Sequence, residues 1–382
     1  MFTATRAPAA IVPVRDRADR DRFISLPWRI YADDPAWVPP LRSDVRKLMA
    51  SGHPFHQHAE TEFFLALDSA GEVVGRIAAA VNHVYNDFHD TRTGFIGLFE
   101  SVDDSDVATL LLDTAGDWLR AQGMTEAIGP FNLSTNDELY SPGIQLDAFD
   151  RPPTLLMAHN RPYYSRLFED AGWEKRKDLL SYWLRDRDLP PERLLNGMER
   201  MTGRIQGLEL RQIRLRELER EVELVKEIYN SAWEKNWGFA PLTEAEIEHL
   251  AATLKPIIDE RFAMLALVHG EPIGFALALP DYNQALRHVN GRLFPLGLLK
   301  LLWHRRHINR LRVFTLGLKP EYRRKGIDAL FYLRIYQNGV KAGFHEAEAS
   351  WILEDNWGMR RGLERMGGQV YKTYRVYGTR LD

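Results

Sequence analysis

The feature that most constrains the fold is that the chain repeats itself. Residues 64–75 read FLALDSAGEVVG and residues 264–274 read MLALVHGEPIG. Each has an apolar run holding Leu-Ala-Leu, a Gly-Glu turn, and a second apolar run opening on Gly75 or Gly274, the pattern of a β-hairpin. The correspondence continues downstream. GFIGLF (94–99) followed by VATLLLDTAGDWLRAQG (107–123) matches RVFTLGL (312–318) followed by IDALFYLRIYQNGVKAG (327–343). Both are a strand and then apolar residues at helical three- and four-residue spacing. NRPYYSRLFEDAG from Asn160 and NWGMRRGLERMGG from Asn356 each run to a terminating glycine, Gly172 or Gly368. A strand rich in aromatic or β-branched residues follows each, LLSYWL (179–184) and TYRVYG (373–378).

Elements repeating in one order at similar offsets predict two related α/β (α+β) units. They are expected near 55–186 and 258–382, with an N-terminal extension over 1–54 and a mainly helical connector over 187–257. A chain of 382 residues is long enough to give both a sizeable core. The absence of cysteine removes disulfides, thiolate nucleophiles and cysteine-held metals, and no other residue cluster has metal-ligand spacing. No run approaches the roughly 18 apolar residues of a membrane span, and the early charged residues make a poor secretory signal. The expected location is cytoplasmic.

The copies differ at one turn. After its strand the first continues ESVDDSDVATLL, acidic and without glycine, whereas the second continues KPEYRRKGIDALF. A net charge of −3 and a pI near 6.5 argue against a general nucleic-acid binder. Yet residues 300–325 hold nine Lys or Arg against one acid, Glu321. A helix start offers unpaired N–H groups and partial positive charge. Gly326 lets a ligand approach the backbone, and Arg323, Arg324 and Lys325 add charge suited to phosphate. The turn reads as a cradle for a pyrophosphate, or alternatively as a solvated basic turn.

A strand, then Pro-Glu-Tyr-Arg-x-Lys-Gly-Ile, then an amphipathic helix resembles the acyl-CoA loop of the GNAT (GCN5-related N-acetyltransferase) superfamily. Arg323 and Gly326 meet its Arg/Gln-x-x-Gly-x-Gly/Ala pattern, and Asn356 resembles the family's next asparagine. The resemblance implies two tandem GNAT-like units with mixed, splayed central sheets flanked by helices. It implies acetyl-CoA or a longer acyl-CoA as cosubstrate, without a metal. The donor would be held from Leu318 through Arg323, Arg324, Lys325 and Gly326 to Ile327, Asp328 and Ala329, with Asn356. Two positions depart from the pattern. Asp328 stands where a small residue is usual, and Leu363 replaces the tyrosine that often protonates the leaving thiolate, leaving Tyr371, Tyr374 or solvent to do so. The first copy, lacking glycine and cations at this turn, is expected not to bind CoA.

Between two strands of the second copy lies an insertion, 280–312. Its apolar LFPLGLLKLLW (293–303) abuts the basic HRRHINRLR. That arrangement suits a helix lying in a membrane interface, so 293–312 is the expected route to peripheral contact with the inner membrane face; packing into a core is the other reading. NWGFAPLT (236–243), NGRLFPLG (290–297), GIDAL (326–330) and SWILEDN (350–356) resemble a longer bacterial group that includes ceramide synthases. That resemblance implies a small-molecule or lipid amine acceptor, a long-chain sphingoid base. In HEAEASWILE (345–354) alternation puts Glu346, Glu348, Ser350 and Glu354 on one strand face. Glu348 and Glu354 are the leading candidates for the base that deprotonates an attacking amine, with His288 and Asp281 next. Two other readings share these features: an acyl-CoA-binding protein without turnover, and a tandem-unit peptidyl transferase using aminoacyl-tRNA.

Overall fold

The computed structural model describes residues 8–134, 140–188 and 205–381, so part of the connector, 189–204, lies outside the described residues. The chain divides into two units. The first comprises Met1–Leu179, Ala285–Trp303 and Lys372–Asp382, and the second Leu180–Gln284 and His304–Tyr371.

The first unit opens with strand β1 (Pro8–Pro13) and helices α1 (Arg17–Ile30) and α2 (Arg42–Leu48). The hairpin β2 (Ala59–Asp68) and β3 (Val73–Asn82) follows, then α3 (His83–His89) and β4 (Thr93–Ser101). Next come α4 (Ser105–Ala121), β5 (Glu126–Gly129), β6 (Ile144–Gln145), α5 (Tyr164–Asp170) and β7 (Glu174–Arg185). The rest of the chain repeats the plan, with 285–303 and 372–382 counted in the first unit. β8 (Leu208–Gln212), α6 (Leu218–Trp233) and α7 (Glu244–Leu254) precede the hairpin β9 (Ala263–Val268) and β10 (Glu271–Pro280). Helices α8 (Asn283–Leu286) and α9 (Gly297–His304) occupy the insertion. β11 (Arg310–Leu318), α10 (Ile327–Lys341), β12 (Glu346–Leu353), α11 (Trp357–Arg365) and β13 (Gln369–Arg380) complete the chain.

Strand order in the first unit is β1-β2-β3-β4-β5-β13, and in the second β8-β9-β10-β11-β12-β7. Hairpins pair antiparallel, whereas β4·β5 and β11·β12 are parallel. The final stretch of β13 joins β5, Tyr377 opposite Gly129 and Arg380 opposite Glu126. The repeated hairpin glycines mark close packing. A Cβ on Gly75 would lie 2.6 Å from Leu111 of α4, and one on Gly274 would lie 2.3 Å from Leu318. In α4, Val107, Leu111, Ala115 and Leu119 recur at helical spacing and are all buried against Ile77, Ala79 and Ile96. In α10, Ile327, Phe331 and Ile335 do the same against Ala276, Leu311 and Val313.

The insertion is anchored at its stem. Trp28 Nε1 donates to Asn290 Oδ1 at 2.8 Å, and the Arg42 amide donates to the Gly291 carbonyl at 3.0 Å. A Cβ on Gly291, whose φ is +74°, would sit 2.4 Å from the Trp28 ring. Beyond this stem the apolar side chains are left in solvent: Phe294 is 77% exposed, Leu296 62%, Leu299 64% and Trp303 60%. Core packing of these four side chains, the other reading of 293–303, is therefore not what the chain adopts.

Candidate functional site

The turn after β11 is shaped by backbone. Arg324 and Gly326 both have positive φ, 61° and 84°, the left-handed conformation that glycine adopts without strain. Gly326 is the N-cap of α10, and no side chain caps this helix. The N–H groups of Ile327, Asp328 and Ala329 therefore lie at the positive end of the helix dipole with no side chain capping them. The side chains do other work. Arg323 donates Nε to the Leu318 carbonyl at 3.2 Å and Nη2 to the Ala232 carbonyl, tying the loop to α6. Lys325 Nζ sits 4.8 Å over the Tyr322 ring, and Arg324 is exposed. Asp328 lies in the first turn of the helix, half-buried.

Below this turn the strands separate. β11 and β12 pair from Arg310↔Glu346 to Val313↔Ala349 and no further. Toward β10 the register slips, Val313 facing Ala278 and Thr315 facing Leu277, so Phe314 is bulged. Charged groups line one face at the closed end. Arg310 pairs with Asp281 and Glu346, each at 3.3 Å. Arg312, fully buried, donates to the Ser350 hydroxyl and carbonyl at 3.2 and 3.3 Å. Glu348, register partner of Arg312, is 1% exposed. Its Oε2 accepts from the Tyr371 hydroxyl, while Oε1 is buried without a partner. An unpartnered buried oxygen is unfavourable, which makes this carboxylate a ready acceptor for one more proton donor.

The other sequence candidates are placed elsewhere. Glu354 follows the far end of β12, half-buried and roughly 20 Å from Glu348 along the strand. Its backbone carbonyl accepts from Arg360. Asn356 caps α11, its Oδ1 accepting from the Met359 amide at 3.2 Å. Leu363 is fully buried in the core, and Tyr374 donates to the Ala158 carbonyl. Sequence reasoning missed Arg312, although alternation along RLRVF puts Arg310 and Arg312 on one face. Among the described residues no group of His, Asp and Glu is arranged to hold a metal, and no helix is long and apolar enough to cross a membrane.

Two strand–helix–helix–hairpin units, one with an uncapped helix start above parting parallel strands, define a tandem GNAT-type N-acyltransferase fold. A tandem GNAT protein from the clavulanic acid biosynthesis pathway, solved without acetyl-CoA, superposes with TM-score 0.59 over 98% of both chains at 13% identity. Protein YghO of Escherichia coli K12 is 33% identical over 95% of this chain and 93% of its own length. The bacterial ceramide synthase of Caulobacter vibrioides is 37% identical over 98% of both chains. The chain belongs to the same family as that ceramide synthase. A scan of protein-family models finds no match.

Proposed function

We propose that the second unit transfers an acyl group from a CoA thioester to the primary amine of a long-chain sphingoid-type base. Support comes from the family relationship and, within the site, from the uncapped amides beyond Gly326. Those amides hold the donor's diphosphate, and exposed Arg324 and Lys325 add charge around it. The loop runs from Leu318 to Ala329, and Asn356 orients the neighbouring helix. The pantetheine arm lies between β11 and β12 where they part, which brings the thioester close to Glu348 and Tyr371.

In this scheme the amine nitrogen attacks the thioester carbonyl, and a C–N bond forms as the C–S bond breaks. Glu348 Oε1 takes the proton shed by nitrogen. Tyr371 gives its proton to the departing thiolate and is reprotonated by Glu348, so the products are an amide and free CoA thiol. This supplies the acid that Leu363 cannot. Glu354, at the far strand end, is a secondary candidate.

The exposed apolar residues of 293–303, followed at once by Arg305 and Arg306, suit an anionic membrane surface. Peripheral attachment there, at the cytoplasmic face of the inner membrane, gives access to a lipid amine. Neither an aminoacyl-tRNA donor nor binding without turnover is favoured by the relatives. The test is thiol release by the purified protein with an acyl-CoA and a panel of amines. Release that depends on a long-chain amino alcohol supports the proposal, and no release with any donor–amine pair overturns it.

A further inference from the structure

Strands β4 and β5 of the first unit also part, and a polar cavity lies there that the scheme above leaves unused. Their last pair is Phe95 with Ile128. Beyond it, Leu98, Phe99 and Glu100 of β4 and Pro130 and Asn132 after β5 line a space of about 40 Å³. That is room for roughly three water-sized groups. Arg76 of β3 and His159 line it as well, and all of these residues belong to the first unit.

Arg76 Nε and His159 Nδ1 are buried without a hydrogen-bond partner among the described residues. Both side chains are only 2% exposed. Each is held by its other atoms. Arg76 Nη1 donates to the Phe23 carbonyl at 2.8 Å, and the guanidinium lies 4.8 Å over the Phe23 ring. His159 Nε2 is 2.9 Å from Asp34 Oδ2. A carboxylate accepts, so the neutral ring carries its proton on Nε2 and presents Nδ1 as an acceptor. Buried groups left in this state are unfavourable. The cavity therefore lacks one acceptor for Arg76 and one donor for His159.

Charge selects among the groups that could supply both. Glu100 Oε1 is 3.6 Å from Arg76 Nη2, and Asp34 is shared by His159 and Arg161, the latter at 3.8 Å. Each full charge already has an opposite one beside it. An anion would meet Glu100 and a cation would meet Arg76, whereas a neutral group meets neither repulsion. A hydroxyl is neutral, and it both accepts and donates. We infer that the first unit binds a neutral alcohol at this cavity, its oxygen accepting from Arg76 Nε and donating to His159 Nδ1. The adjoining carbons lie against Val38, Phe99 and Met157, which also line the space. The room admits a short alcohol or the hydroxyl end of a longer one. This inference concerns binding alone and is independent of the CoA site proposed for the second unit.

Saturation-transfer NMR on the full chain compares propan-1-ol with propionate and propylammonium, in the wild type, His159→Phe and Val38→Phe. The wild type is expected to bind the alcohol and neither ion. His159→Phe keeps a ring in place and removes the acceptor, so affinity for propan-1-ol should fall about fivefold, the loss of one hydrogen bond. Val38→Phe fills the space and should abolish binding. Octane-1,2-diol as a competitor tells the two sources apart. Displacement of propan-1-ol shows that the site takes the end of longer alcohols, and no displacement confines it to short ones; the hydroxyl site stands in both cases. A crystal soaked in propan-1-ol should place the alcohol oxygen between Arg76 and His159, which keeps the test decisive if thermal melts show that neither variant folds. Ordered water alone at that position would overturn the inference. So would ions binding as well as the alcohol, or alcohol binding that a folded variant leaves unmoved.

Discussion

The helix after the fourth strand begins differently in the two units. In the first, Asp104 caps α4, its carboxylate accepting from the Asp106 and Val107 amides at 3.0 and 3.3 Å. In the second, α10 begins on Gly326, with no side chain to take its amides. The strands below differ in the same sense. Phe95 pairs with Ile128 in the first unit where Arg312 pairs with Glu348 in the second. The parting of β4 and β5 is closed by the chain itself. The Phe131 amide donates to the Ile96 carbonyl at 2.7 Å, and the Leu98 amide donates to Asn132 Oδ1 at 3.0 Å. One backbone plan thus appears once with its helix start capped and its strand parting bridged by the chain, and once with its helix start uncapped. Under the proposed function, the uncapped helix start of the second unit is where a ligand completes the bonding.

Substitutions that make one unit more like the other sharpen this contrast. The largest effect is expected from Glu348→Gln, which removes the proposed proton acceptor, whose place in the first unit is taken by Ile128. Turnover should fall by about a hundred- to ten-thousandfold, with CoA affinity by calorimetry unchanged. Gly326→Asp copies the aspartate cap of α4 into α10, so the carboxylate occupies the amides and repels phosphate. Affinity for CoA should fall about a hundredfold, of the order seen when a positioned donor to an anion is lost; an unchanged affinity would break the comparison.

The connections before β4 and β11 differ too, the short α3 in the one case and the exposed insertion in the other. Replacing Leu299 and Trp303 together by Asp should remove about 1.5–3 kcal/mol of apolar contact per side chain, and vesicle sedimentation should drop sharply. Asp104→Ala removes a cap and nothing else. It should lower unfolding stability by about 1 kcal/mol, read by denaturant melts, and leave acyl transfer intact.

The smallest effect concerns Glu100 of the first unit. Burial pushes its carboxyl above the ordinary glutamate range, against the pull of Arg76 and bonds from Tyr164 and Tyr31. The folded chain then holds this proton more tightly than the unfolded chain does. The resulting stabilisation is full below the unfolded-state value and disappears as pH rises through the folded-state value. Glu100→Gln should flatten the stability curve in weak acid, checked by melts across that range, without altering transfer.

Much of the fold was legible where the signal is local. The two hairpins, the helices after β4 and β11, and the glycine at the basic turn all follow from periodicity and turn chemistry. Alternation along β12 also put Glu346, Glu348 and Ser350 on one face, where they meet Arg310, Tyr371 and Arg312. Pairing over long separations was not legible. Nothing in TYRVYG says that the chain's last strand joins β5, because a strand carries a pattern but no address. The strand–helix–helix start of each unit was hidden for a related reason: β1 and β8 are short, and the helices after them share no motif. The cationic loop makes one partnership that the sequence does not show. Arg323 looks like a phosphate ligand in sequence, whereas its guanidinium is given to the Leu318 and Ala232 carbonyls, a partnership that depends on α6 being packed nearby.

A crystal structure with a bound unreactive long-chain acyl-CoA analogue examines the contrast between the two helix starts most directly. The account predicts diphosphate oxygens within hydrogen-bonding distance of the amides of Ile327, Asp328 and Ala329, with the thioester position at the parting of β11 and β12 and nothing bound at Asp104. A diphosphate seated at Asp104, or anywhere other than the Gly326 turn, would contradict it.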